Sequence, residues 1–299
     1  MRLILYVVAL LTLALPAVAD VNASQPAPPM SPAVAQAREA FVARRYDEAL
    51  AILRPAAEAG DRVAQNIVGV AYDEGLGYAV DAQAALMWLT RAAEQGDARA
   101  QMNLAQMLRD GRPGIAIDLI AARRWMQSSS DLGYAPASSA LGRMYERGTG
   151  GPTDIAHAIA LYEIGRRAAD PWASEYLAHA YLSGIGVPQD EAQARRMFAE
   201  AAEGGLAQAQ SNLGYMMESG MGGETDHAGA EAMYRRSMEG GYARAGYNLA
   251  WQLFGRAEAA AGYAEASAAC DWAMARSDAE EAEEWTTGCA TMRKWTHVD

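Results

Sequence analysis

Apolar and polar residues follow a helical period along most of this chain, and the pattern restarts about every 36 residues. Six stretches open on an alanine: Ala64, Ala100, Ala137, Ala173, Ala209 and Ala245. The fifth residue of each is aliphatic (Val68, Leu104, Leu141, Leu177, Leu213, Leu249), and the next is small (Gly69, Ala105, Gly142, Ala178, Gly214, Ala250). A bulky side chain beside a small one lets two helices approach closely while filling the gap. Between these stretches lies a second helical run with two apolar columns. One holds Trp88, Trp125, Leu161, Met197 and Met233; its neighbour holds Leu89, Met126, Tyr162, Phe198 and Tyr234. At this spacing the rings and thioethers read as core, not as a cofactor box.

Punctuation falls in the same register. A turn residue recurs as Gly60, Gly96, Gly133, Ala169, Gly205 and Gly241, where a helix must stop and reverse. A second column, Gly75, Gly111, Gly148, Gly184 and Gly220, opens the loop between paired helices. Asp81, Asp118, Asp154, Asp190 and Asp226 then stand where an N-cap accepts the free N–H groups of the next helix. Each unit therefore reads as helix, Gly loop, Asp-capped helix, Gly turn. One such pair cannot bury its own apolar face, whereas stacked pairs share a continuous core. The expected fold class is all-α, an α/α superhelical solenoid of helix-pair repeats.

The expected organisation is a signal peptide over 1–19, a Pro-rich linker over 20–35, an N-terminal helix pair over 36–60, repeats over 61–255 and a helical cap over 256–299. The segments "AQMNLAQMLRDG", "ASSALGRMYERGTGG", "ASEYLAHAYLSGIGVPQD" and "AQSNLGYMMESGMGGETD", joined by "ALMWLTRAAEQGDA", resemble Sel-1-like repeats, relatives of the tetratricopeptide class. The resemblance covers about residues 61 to 250. It implies a scaffold or adaptor that binds other proteins, and some secreted bacterial members regulate a membrane sensor kinase in this way. A cysteine-rich branch is linked to β-lactam binding and hydrolysis, but it carries a cysteine pair in each repeat, and this chain has none within its repeats.

Composition narrows the partner class. With 25 basic against 37 acidic residues the formal charge is -12, which argues against general nucleic-acid binding. At the start, Arg2, the apolar run Leu3 to Leu15 and the small-residue site Ala17-Val18-Ala19 read as a secretory signal, broken by Pro16. The mature chain is expected in the periplasm, or alternatively outside the cell, with no integral membrane segment after cleavage. Cys270 and Cys289 both fall in the cap. In an oxidising compartment such a pair reads as a disulfide, with two buried thiols as the alternative.

Catalytic chemistry is not evident. None of His157, His179, His227 and His297 forms a metal helix motif, and His157 and His227 read as exposed helix-start residues. No nucleophile elbow or phosphate loop stands out. Neither a cofactor nor a metal is expected. Counting from the opening alanine, the third, seventh and tenth positions of the first helices read as the face turned from the core. Its rows are Asn66/Val70/Asp73, Met102/Gln106/Arg109, Ser139/Arg143/Glu146, Glu175/His179/Leu182, Ser211/Tyr215/Glu218 and Tyr247/Trp251/Phe254. Two readings of the last row compete. Tyr247, Trp251 and Phe254 pack under the cap around Trp272, or with Tyr215 they end a groove for a partner, with Arg143 and His179 giving polar selectivity. The favoured function is a non-enzymatic scaffold for a protein or peptide partner, regulating an envelope or signalling protein. A cell-wall or β-lactam hydrolase and a self-assembly module are the alternatives.

Overall fold

The computed structural model describes residues 31–257 and 260–295. The expected signal, most of the expected linker and His297 lie outside them. The described residues form α-helices joined by short turns, with no strand among them. In chain order these are α1 (Pro32–Val42), α2 (Tyr46–Glu58), α3 (Arg62–Glu74), α4 (Ala82–Glu94), α5 (Ala98–Asp110), α6 (Leu119–Asp131), α7 (Ala135–Arg147), α8 (Ile155–Arg167), α9 (Pro171–Ser183), α10 (Glu191–Glu203), α11 (Ala207–Ser219), α12 (His227–Glu239), α13 (Ala243–Arg256), α14 (Ala260–Met274) and α15 (Ala279–Trp295). The first starts at Pro32, inside the stretch read as linker, because Ser31 accepts the Val34 N–H and proline suits the opening turn. Among the described residues no helix is long and apolar enough to cross a membrane.

The chain divides into two compact units at Ile164/Gly165. In the first, α1–α2, α3–α4 and α5–α6 pair as hairpins, followed by α7 and most of α8. Its core starts among Phe41, Leu50, Leu53 and Val68, runs through Leu89, Leu104 and Met107, and ends at Met126, Leu141 and Leu161. In the second, α9–α10, α11–α12 and α13–α14 pair, and α15 packs on α14. Its core includes Tyr234, Leu249, Trp285 and Met292 around the Cys270–Cys289 disulfide.

The repeat columns explain these hairpins. Asp81, Asp118, Asp154, Asp190 and Asp226 each accept N–H groups of the helix that follows. Each also donates its own N–H backwards to a carbonyl of the preceding first helix: Tyr72, Leu108, Tyr145, Tyr181 and Met217, at 2.8–3.0 Å. One aspartate thus starts a helix with its side chain and closes the hairpin with its backbone. Gly75, Gly148, Gly184 and Gly220 end their helices left-handed, a conformation that spares the Cβ penalty. In the second helices Leu89, Met126, Tyr162, Phe198 and Tyr234 are all buried.

Candidate functional site

The face expected to turn from the core divides into three. Its third column is buried: Asn66, Met102, Ser139, Glu175 and Ser211 are all closed to solvent. α3 also packs on α5, and α11 on α13, so one apolar stripe does not define the whole buried surface of a first helix. Asn103 Nδ2 donates to Asn66 Oδ1 at 2.8 Å, and Asn248 Nδ2 to Ser211 Oγ at 3.3 Å, each across one repeat. The tenth column is also engaged. Arg112 donates to both oxygens of Asp73, Tyr162 donates to Glu146 at 2.6 Å and Tyr234 donates to Glu218 at 2.8 Å. Burial and the facing Glu218 carboxylate push the Tyr234 hydroxyl well above the usual phenol range, so it stays a donor.

The seventh column is half-buried in the first unit, at Val70, Gln106 and Arg143, and exposed in all three rows of the second. In the second unit it carries His179 on α9, Tyr215 on α11 and Trp251 on α13, one ring per consecutive first helix. Tyr215 is 55% exposed and Trp251 42%. Helices fix the backbone beneath these rings, so little backbone freedom remains to be lost on contact. The His179 ring stands edge-on to Phe198, with centroids 5.1 Å apart.

The remaining aromatic candidates pack on the cap core, Tyr247 against Trp285 and Phe254 against Tyr263. Tyr247 stacks on Trp285 with centroids 4.9 Å apart, and Trp251 meets Tyr247 and Phe254 edge-on. Trp272 instead lies over Gly246, where a β-carbon would come within 2.7 Å of its ring. Arg143 belongs to the first unit, where its guanidinium lies 3.6 Å from Glu146. Of the six sequence candidates, His179, Tyr215 and Trp251 therefore share one exposed column, while Tyr247 and Phe254 support it from below. Among the described residues no group of three or more His, Cys, Asp or Glu is placed to hold a metal ion. His157 and His227 are exposed at helix starts, the former with its ring against Tyr145.

Five consecutive segments, residues 62–97, 98–134, 135–170, 173–206 and 207–242, match the Sel1 repeat. The chain belongs to the Sel1 repeat family. Its Sel1 repeats coincide with the helix pairs described above, from α3–α4 to α11–α12. Among solved structures, a Sel1 repeat protein from Oxalobacter formigenes is similar at 28% identity and a TM-score of 0.65, over 74% of this chain and 88% of the other. Another is c5321, a protective antigen of uropathogenic Escherichia coli strains with the same repeat fold. It is 31% identical over 82% of this chain and 57% of the antigen, with a TM-score of 0.61. An immunity protein from Pseudomonas aeruginosa shares the fold at 20% identity and a TM-score of 0.53, over 71% of this chain and 83% of that one. No curated protein sequence matches the chain.

Two functional features of these Sel1 repeats escaped the sequence pattern. One is the side-chain rung between neighbouring first helices, whose sign was an asparagine in the fourth position of three of the six first helices (Asn103, Asn212, Asn248). The other is the isolation of the seventh column, visible only once the third and tenth have found partners.

Proposed function

We propose that this Sel1 repeat protein is an exported scaffold that captures a segment of a protein partner on the seventh-column face of its second unit. It does so without catalysis and acts on an envelope or signalling protein. The observation that carries this reading is the row His179, Tyr215 and Trp251, three rings at equivalent positions on consecutive first helices. Repeats whose other columns are engaged in packing spend no core residue on this row, and aromatic side chains dominate interface energetics. Membership of a family of repeat scaffolds supports protein binding. The Cys270–Cys289 pair and the signal-like start support an oxidising compartment, the periplasm first.

The test is affinity capture from the native envelope with wild type, Tyr215→Ala and Trp251→Ala. A partner retained by wild type and lost from both variants, at unchanged helical circular dichroism, supports the reading. Equal capture by all three removes it.

A further inference from the structure

In each unit a rung joins neighbouring first helices. The fourth residue of one donates to the third residue of the first helix one repeat earlier, as Asn103 does to Asn66 and Asn248 to Ser211. The equivalent positions one pair further along are Asn212 of α11 and Glu175 of α9. That rung is open. Asn212 Nδ2 and both Glu175 carboxylate oxygens are buried without a hydrogen-bond partner. Glu175 is 1% exposed, and His179 Nε2 lies 3.9 Å from its Oε1, beyond hydrogen-bond reach.

Two other carboxylates on these helix pairs have donors. Glu200 accepts from Ser174 at 3.1 Å, and Glu218 accepts from Tyr234 at 2.8 Å. A carboxylate withdrawn from water with no donor is costly, and breaking up a buried pair is costly for the same reason. At the two closed rungs both partners are neutral, whereas here one is an acid, four residues before His179 on the same helix.

We propose that Glu175 and Asn212 form a recognition site for a cationic side chain, Arg or Lys, of the segment bound on the seventh-column face. The guanidinium or ammonium donates to Glu175, and a backbone carbonyl of the same segment accepts from Asn212 Nδ2. His179, half-exposed and 3.9 Å from Glu175, is the side chain that must move to admit it. The chain's acidic excess has the sign that draws such a segment in. This inference rests on the segment-binding reading above.

The experiment uses the full chain and three synthetic heptapeptide pools with randomised flanks, identical except for a central Arg, Lys or citrulline. Citrulline keeps the shape of arginine and removes its charge. Fluorescence polarisation is read for wild type, Glu175→Gln, Asn212→Ala and Tyr215→Ala. Wild type is expected to bind the Arg and Lys pools about tenfold more tightly than the citrulline pool, a ratio set by one charge-assisted contact. Glu175→Gln abolishes that preference with unchanged helix content, and Asn212→Ala weakens all three pools alike. If Glu175→Gln fails to fold, Glu175→Met keeps the volume without the charge and serves in its place. Three pools bound alike by wild type, or a charge preference that survives at residue 175, would overturn the cation site and leave segment binding standing. Binding of no pool by wild type, with Tyr215→Ala indistinguishable from it, would remove both.

Discussion

The ring of Tyr234 occupies the place where Gly214 has no side chain. A β-carbon on that glycine would lie 2.8 Å from Tyr234 Cε1, and the ring is fixed there because its hydroxyl donates to Glu218. Tyr162, Gly142 and Glu146 repeat the arrangement in the first unit. Where the ring position holds Met126 or Phe198, without a hydroxyl, the facing residue is Ala105 or Ala178. Leu89 approaches Gly69 as closely without a hydroxyl, so the glycine marks close approach of the two helices and the Tyr–Glu bond fixes the ring where a tyrosine stands there.

Gly214→Ala is therefore expected to destabilise, although alanine is the better helix former by about 1 kcal/mol. Displacing a ring held at both ends costs about 1–3 kcal/mol, so the clash wins. Pairing Gly214→Ala with Tyr234→Met, the combination seen at Ala105 and Met126, should recover most of the loss. Urea denaturation of the two single variants and the double variant measures the coupling, and additive losses would contradict the matched-pair account.

Ala169 takes φ +57° at the turn where five other repeats place a glycine of positive φ. A left-handed alanine costs about 1–2 kcal/mol, and the extra freedom of glycine in the unfolded chain returns part of that. Ala169→Gly should stabilise the protein by about 0.5–1 kcal/mol. A fall in midpoint would show that the alanine methyl makes a contact worth more than the strain.

The fold was legible in the sequence because its punctuation acts locally. A turn glycine or a capping aspartate satisfies the backbone within one turn of itself, so spacing alone reveals its job. The binding face was less legible. Asn66, Ser139, Glu175 and Ser211 look like solvent-facing polar residues within their own helices, yet all are buried, and Asn66 and Ser211 each accept from an asparagine of the first helix one repeat later. Glu146 and Glu218 look like surface acids but accept from tyrosines of the paired helix. Exposure in a stack depends on three neighbours, whereas a helical period reports only one. The anchor for Tyr247 was misplaced for a related reason. The sign that Trp272 was already taken is Gly246, whose missing side chain makes room for that ring.

Asp97 caps α5 by accepting the Ala100 N–H at 2.8 Å, and burial pushes its carboxyl above the ordinary carboxylate range despite that bond. A carboxyl raised by folding favours the folded state when protonated. Stability from this group is greatest below its unfolded value and falls as pH rises towards the raised one. Asparagine keeps the capping oxygen without the charge. Asp97→Asn should therefore be at least as stable as wild type at pH 7, with its advantage shrinking as the pH falls through the carboxylate range. Asp97→Ala should lose about 1 kcal/mol, the usual value of a cap. A loss of that size in the asparagine variant would show that attraction to Arg62 and Arg99 outweighs desolvation.

Cys270 on α14 and Cys289 on α15 are both fully buried and bridged across 19 positions, in the core that also holds Trp285 and Met292. The cross-link ties α15 to α14 and constrains the unfolded chain between them. On the chain-entropy account a loop of this length contributes about 3 kcal/mol. Cys270→Ala with Cys289→Ala should lower the unfolding free energy by about that amount. Native-state hydrogen exchange should place the lost protection in α14, α15 and the packed Tyr247 side of α13, with α3 to α6 unchanged. Because Tyr247 stacks on Trp285 and supports Trp251, the double variant should also weaken partner capture through Trp251 before it affects Tyr215. Protection lost evenly along the chain would instead mean that the two units unfold as one cooperative body.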